Sequence, residues 1–161
     1  MLFRSTLLDR VDGQGAEEGV SYLELADLLM RVGAHTSADL EQLWRRIVFF
    51  ICVSNTDDHL RNHGFMLEPT GWSLAPAYDM NPDPHGAGLK LNISETDNAQ
   101  DLELAKSVAP VFRIKNTRAN EIVSDVSEAV RQWRPVATRH GLSRVAQDRM
   151  RRAFRLVEPS G

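Results

Sequence analysis

Asp57, Asn62 and Asp79 place three oxygen-bearing side chains in an order that suits phosphoryl transfer. Asn62 follows Asp57 by five positions, and Asp79 follows Asn62 by seventeen. In a protein-kinase catalytic loop an Asp accepts the hydroxyl proton, and an Asn five positions later binds a divalent cation. A further Asp, delivered by a separate segment, completes the cation site. Mg²⁺ takes hard oxygen ligands and keeps several waters, so one carboxylate and one amide oxygen suffice beside ATP phosphates. On this spacing Asp57 is the candidate base, and Asn62 and Asp79 are the candidate ligands for Mg²⁺ and its nucleotide. Arg61, next to Asn62, is placed to stabilise the transferring phosphoryl group or to pair with Asp57. Asp58 stands only four positions before Asn62 and is the poorer candidate for the base.

An isolated D-x-x-x-x-N arises often by chance, with the acids capping a loop and the Asn making a turn. Its meaning here comes from the elements around it. Leu40, Leu43, Trp44, Ile47, Val48 and Ile51 recur at steps of three and four, the period of one helix face. This helix should start near Thr36–Ser37, with Asp39 in its first turn and Arg45 and Arg46 facing outward. Phe49, Phe50 and Cys52 make its far end apolar all round, so the helix delivers Asn55–Asn62 from a rigid support. The residues after the loop read as a hairpin: Gly64–Leu67, a turn at Glu68-Pro69-Thr70-Gly71, and Trp72–Ala75. The returning arm carries Asp79 back towards the first.

The remaining chain reads as helices and irregular connections. Residues 9–20 are glycine-rich and acidic, so residues 1–20 form an irregular segment ahead of a single unit over 21–161. Ser21 and Glu24 form a capping box, Leu25, Leu28, Leu29 and Val32 make an inward face, and Gly33 is placed as a left-handed cap. Residues 81–98 are rich in Pro, Gly and Asn and lack helical period. Beyond Asp101 one stripe runs through Ala119, Ile122, Val123, Val126, Val130, Trp133 and Ala137 to Gly141. A last helix is expected from Ser143 to Val157, with Met150, Ala153, Phe154 and Val157 inward. The fold class is therefore mainly α: a helical bundle with a small β-hairpin.

Of the 161 residues 42% are apolar and 25% charged, ordinary for a globular domain, and the net charge of −3 gives no electrostatic case for a nucleic-acid or membrane partner. No run approaches the roughly 20 apolar residues of a membrane span. The single cysteine, Cys52, lies in the apolar run IVFFICV and reads as an inert thiol of a cytoplasmic protein. His59 and His63 share a four-residue spacing but lack a nearby third ligand, so loop hydrogen bonding is the expected role. Phe65, Trp72 and Tyr78 read as hairpin packing rather than base stacking. Arg144, Arg149, Arg151, Arg152 and Arg155 read as a solvated helix surface.

NTDDHLRNHGF followed by WSLAPAYDMNP resembles the C-terminal lobe of HipA-type proteins, the serine/threonine kinase toxins of bacterial toxin–antitoxin pairs. The resemblance extends from about Ser21 to the end. It implies a protein-kinase-like C-lobe, with Asp57 as catalytic base and Asn62 and Asp79 on Mg²⁺. It further implies ATP as donor, a protein serine as acceptor, and a small DNA-binding, HipB-like antitoxin as partner. The family's N-terminal lobe is not recognisable. Lys90, Lys106 and Lys115 are the only lysines, and all follow the loop that an ATP-pairing lysine should precede. A truncation or a separate N-lobe polypeptide is the expectation, with little activity in this chain alone. Two other readings differ in class: a non-catalytic lobe that binds an antitoxin or another subunit, and a metal-dependent phosphoesterase using Asp57, Asp58, His59 and Asp79.

Overall fold

A helix whose far end is apolar on every side can only be stable if other elements surround that end, and the chain is arranged around one such helix. In the computed structural model, residues 2–3, 8, 11 and 13–158 are described, Leu2 and Phe3 by backbone alone. The sheet strands are β1 (Leu2–Phe3), β2 (Gly64–Glu68) and β3 (Gly71–Leu74). The helices are α1 (Tyr22–Val32), α2 (Thr36–Val53), α3 (Leu102–Val108), α4 (Asn116–Arg131), α5 (Trp133–Arg139) and α6 (Arg144–Met150). Short 3₁₀ turns cover Ala16–Glu18, Leu60–Asn62, Ala109–Phe112 and Arg151–Phe154. The expected mainly helical fold with a small hairpin is the observed one. None of the described helices is long and apolar enough to cross a membrane.

Helix α2 is the central member. Leu40, Leu43, Trp44, Ile47, Val48 and Ile51 are all fully buried, as their spacing requires. It packs against α4, with Cys52 Sγ 3.8 Å from Ser127 Oγ, and Trp44 Nε1 donates to the Ala105 carbonyl of α3 at 3.0 Å. Burial pushes the Cys52 thiol pKa up, in keeping with an inert sulfur. The helix ends at Ser54, whose φ of 52° turns the chain sharply out of the bundle.

Strands β2 and β3 pair antiparallel, Phe65 opposite Leu74 and Glu68 opposite Gly71, as the hairpin reading requires. Within the segment expected to be irregular, β1 adds a third, antiparallel strand, Leu2 opposite Phe65. Residues 81–98 contain no helix, but they are held in place. Asn92 forms a bridge to Ser21, and its amide donates to the Ala16 carbonyl at 3.1 Å.

Several local expectations change. Gly33 has a φ of −73°, so it is extended rather than a left-handed cap. A Cβ there would lie 2.3 Å from the Leu29 carbonyl oxygen, so it is close approach that calls for glycine. Val32 is 41% exposed, not inward. Arg46 is buried instead of facing outward, because its Nη2 donates to the Ala75 carbonyl at 2.6 Å and ties α2 to the end of β3. The apolar stripe after Ala119 is interrupted at Gln132. Pro135 has no N–H to give to the Arg131 carbonyl, so α4 stops and α5 begins anew. The last helix stops at Met150 and tightens into a 3₁₀ turn, although Ala153, Phe154 and Val157 still point inward.

Gly71 joins the hairpin to α1: its φ is 149°, and a Cβ would lie 2.6 Å from the Val32 carbonyl oxygen. Gly71→Ala should therefore destabilise the fold by about 2 kcal/mol. A thermal melt followed by circular dichroism should show the midpoint about 4–8 °C lower. An unchanged midpoint would mean that the hairpin does not press against α1 as described.

Candidate functional site

Two consecutive aspartates leave the end of α2 in opposite directions. Asp58 is fully buried, and Asp57 is exposed. An unpaired carboxylate in the interior is costly, so Asp58 needs internal partners. The Tyr22 hydroxyl of α1 donates to its Oδ2 at 2.7 Å, and His63 Nε2 hydrogen-bonds the same oxygen at 2.8 Å. Both ends of the loop 57–63 are thereby fixed against α1. Burial, and then the Asp58 charge, push the Tyr22 phenol well above the usual tyrosine pKa. Burial lowers the pKa of the nearby Arg46 guanidinium, while the charges of Asp58 and Asp39 oppose that shift.

The loop then places the predicted residues. Asn62, at the end of the Leu60–Asn62 turn, is buried, and its Nδ2 donates to the Asp57 carbonyl oxygen at 3.3 Å. With the amide nitrogen so committed, Oδ1 is its remaining ligand atom. The five-residue spacing thus closes the loop onto itself, the Asn62 side chain against the Asp57 backbone. Arg61 is partly buried, and its carbonyl accepts from the Tyr78 hydroxyl. That bond brings the segment containing Asp79 against the loop.

Asp79 is exposed and has a φ of 56°, an uncommon conformation for a residue with a Cβ. Its Oδ1 accepts from Asn81 Nδ2 at 2.6 Å, leaving Oδ2 as its other ligand oxygen. The structure therefore gathers Asp57, Asn62 and Asp79 at one junction of two segments. Asn62 and Asp79 offer hard oxygen donors only, a donor set whose chemistry fits a Mg²⁺ ion carrying phosphates and waters.

Asn55 is the residue that the spacing did not single out. It is 2% exposed, accepts the Asp57 N–H on Oδ1 at 3.3 Å, and donates from Nδ2 to the Asp79 carbonyl at 3.3 Å. Its place directly after the helix C-cap was visible in the sequence, but its contact with residue 79 was not. Thr56 was missed in the same way; its hydroxyl donates to Asp83 Oδ2 at 2.6 Å and holds the carboxyl of Asp83 below the usual range.

The other residues weighed in the sequence fall into place. His63 has the expected hydrogen-bonding role, and the His59 N–H donates to the Asp57 carbonyl at 2.9 Å. Phe65 is fully buried and Trp72 packs against the core, whereas Tyr78 is exposed at the site. Arg155 does more than cover a surface: it donates to Ser54 Oγ at 2.6 Å and to Gln100. Burial of Asp58 removes one of the acids that a phosphoesterase would need. Among the described residues, no three His, Cys, Asp or Glu side chains are grouped to hold a metal.

Comparison with known proteins agrees with the fold. The family described as "HipA-like C-terminal domain" matches residues 5–133, beginning and ending earlier than the motifs alone indicated. The chain is 27% identical over 125 residues to "Putative kinase Y4mE" of Sinorhizobium fredii (strain NBRC 101917 / NGR234), covering 71% of this chain and 30% of that protein. It also superposes on a chain of the Shewanella oneidensis MR-1 toxin–antitoxin complex of HipA, HipB and operator DNA. There the TM-score is 0.68 at 14% identity, covering 94% of this chain and 36% of the other. The chain thus spans about a third of the length of each of these two proteins.

Burial of Tyr22, and then its contact with Asp58, gives a pH dependence. The folded pKa of Tyr22 is raised above its unfolded value of about 10, so its contribution is complete below that pH and drains away as pH rises beyond it. Tyr22→Phe should cost about 1–3 kcal/mol near neutrality, because Asp58 loses a donor. The variant should also lose less stability than the parent above about pH 10. Urea unfolding at a series of alkaline pH values measures both; parallel curves would show that the Tyr22 phenol is not raised in the folded chain.

Proposed function

The chain belongs to the HipA-like C-terminal domain family, and we propose that it is the catalytic lobe of a serine/threonine protein kinase of the toxin–antitoxin class. The observation that carries this reading is the junction itself: an exposed Asp57 carboxylate beside a buried Asn62 whose amide is fixed on the Asp57 backbone, with Asp79 docked from the opposite segment. Asn62 and Asp79 would hold Mg²⁺, which when bound neutralises charge on the phosphate oxygens of ATP.

In this scheme Asp57 orients the hydroxyl of an acceptor serine. As the serine oxygen bonds to the γ-phosphorus and the bond to ADP breaks, the hydroxyl proton passes to the Asp57 carboxylate. Asp57 suits the task because its neighbour Asp58 takes the structural role and leaves it facing solvent. Arg61, one residue before the cation ligand, would oppose the charge of the transferring group. A HipB-like antitoxin is the proposed partner; the Shewanella oneidensis protein with the same fold was solved with HipB. Asp57 and Asp79 are both exposed, so an N-terminal lobe, as in full-length kinases, would enclose the nucleotide over them.

Transfer of radiolabelled phosphate from Mg-ATP to serine-containing protein should appear when the chain is combined with a cognate N-terminal lobe, and hardly at all without it. Asp57→Asn in the combined protein should reduce transfer by a factor of about 10²–10⁴ with Mg-ATP affinity retained. Transfer that survives Asp57→Asn would exclude Asp57 as the base. If the chain binds an antitoxin but takes up no nucleotide even with the lobe present, it is a binding module and not a kinase.

A further inference from the structure

We propose that Asn55 is a positioning residue that sets the candidate base and the cation-binding carboxylate relative to each other, an inference that rests on the kinase reading of the same site. Its backbone is anchored independently of either: the Asn55 N–H donates to the Phe50 carbonyl at 2.9 Å, at the fully packed end of α2. From that fixed point the side chain uses both of its polar atoms. Oδ1 accepts the Asp57 N–H, and Nδ2 donates to the Asp79 carbonyl. A single planar amide therefore spans two segments that are 22 residues apart in the chain.

The residue type is selective. A serine is too short to offer a donor and an acceptor on opposite sides of one plane, and an aspartate has acceptors only. An aspartate at 55 would keep the bond to the Asp57 N–H and turn a carboxylate oxygen against the Asp79 carbonyl. The site also needs a restraint here. Asp79 sits at a positive φ, which costs a residue with a Cβ free energy, and such conformations persist only where the surroundings over-determine them. Asn55 on its carbonyl and Asn81 on its carboxylate are two restraints on that one residue. Asn81 aims the side chain; Asn55 fixes the backbone from which it is aimed.

The test is Mn²⁺ broadening of amide signals in ¹⁵N NMR spectra of this chain, recorded with ATP present. In the parent, signals of Asn62 and Asp79 should broaden together as Mn²⁺ is added. In Asn55→Ala and Asn55→Asp the midpoint should rise about fivefold, the factor that one ordinary hydrogen bond is worth. Signals from α2 and α4 should remain in place, which separates a local effect from a folding defect. In Asn55→Asp the Asp57 amide should keep its parent-like shift while Asp79–Asn81 move; in Asn55→Ala both should move. Equal midpoints in parent and both variants would overturn the role of Asn55 while leaving the cation site intact. A parent in which neither Asn62 nor Asp79 responds to Mn²⁺, even with the N-terminal lobe added, would overturn the cation site, and the role of Asn55 with it.

Discussion

A carboxyl group withdrawn from water needs the protein to replace what water gave it, and at Asp58 this chain does so through one oxygen, Oδ2. Its Oδ2 receives the Tyr22 hydroxyl from α1 and hydrogen-bonds His63 from the far end of the same loop. Once Asp58 is held inward, adjacent Asp57 is turned out. The Leu60–Asn62 turn is stretched between the buried acid and His63, which sets the Asn62 amide under the Asp57 carbonyl. The chemistry proposed for Asp57 thus depends on a side chain that never meets solvent.

The second constraint is mechanical. Helix α2 is enclosed at six apolar positions between Leu40 and Ile51 and cannot shift without opening the core. Its C-terminal end is secured twice more: Ser54 Oγ donates to the Ala153 carbonyl at 3.0 Å, and Arg155 donates to Ser54 Oγ. Arg46, lower on the helix, grips the Ala75 carbonyl just before the segment that carries Asp79. Both halves of the site are therefore referred to one rigid element, which is how a scaffold holds side chains within the narrow tolerance that catalysis needs.

What could be read in the sequence was whatever depends on local period and spacing. The face of α2, the hairpin and the D-x-x-x-x-N pair are of that kind, and so is the HipA-type resemblance, which the family match bears out. Whatever depends on a partner distant in the chain was hidden. Arg46 looks like a surface residue until its acceptor, 29 positions later, is known. Asn55 has no signature because its two partners lie on different segments. Gly33 was recognisable as a special position, but its reason, contact with the Leu29 carbonyl, needed coordinates. The break before α5 is different: Pro135 is plain in the sequence and outweighs the apolar stripe that runs past it.

The proposed chemistry requires Asn62 and Asp79 to share one cation next to Asp57. A crystal of the protein grown with Mn²⁺ and a non-hydrolysable ATP analogue, with data collected at the manganese edge, addresses this directly. An anomalous peak is expected within about 2.3 Å of both Asn62 Oδ1 and an Asp79 carboxylate oxygen, close to the manganese counterpart of a Mg²⁺ site. Bound analogue with manganese held away from either residue would contradict it.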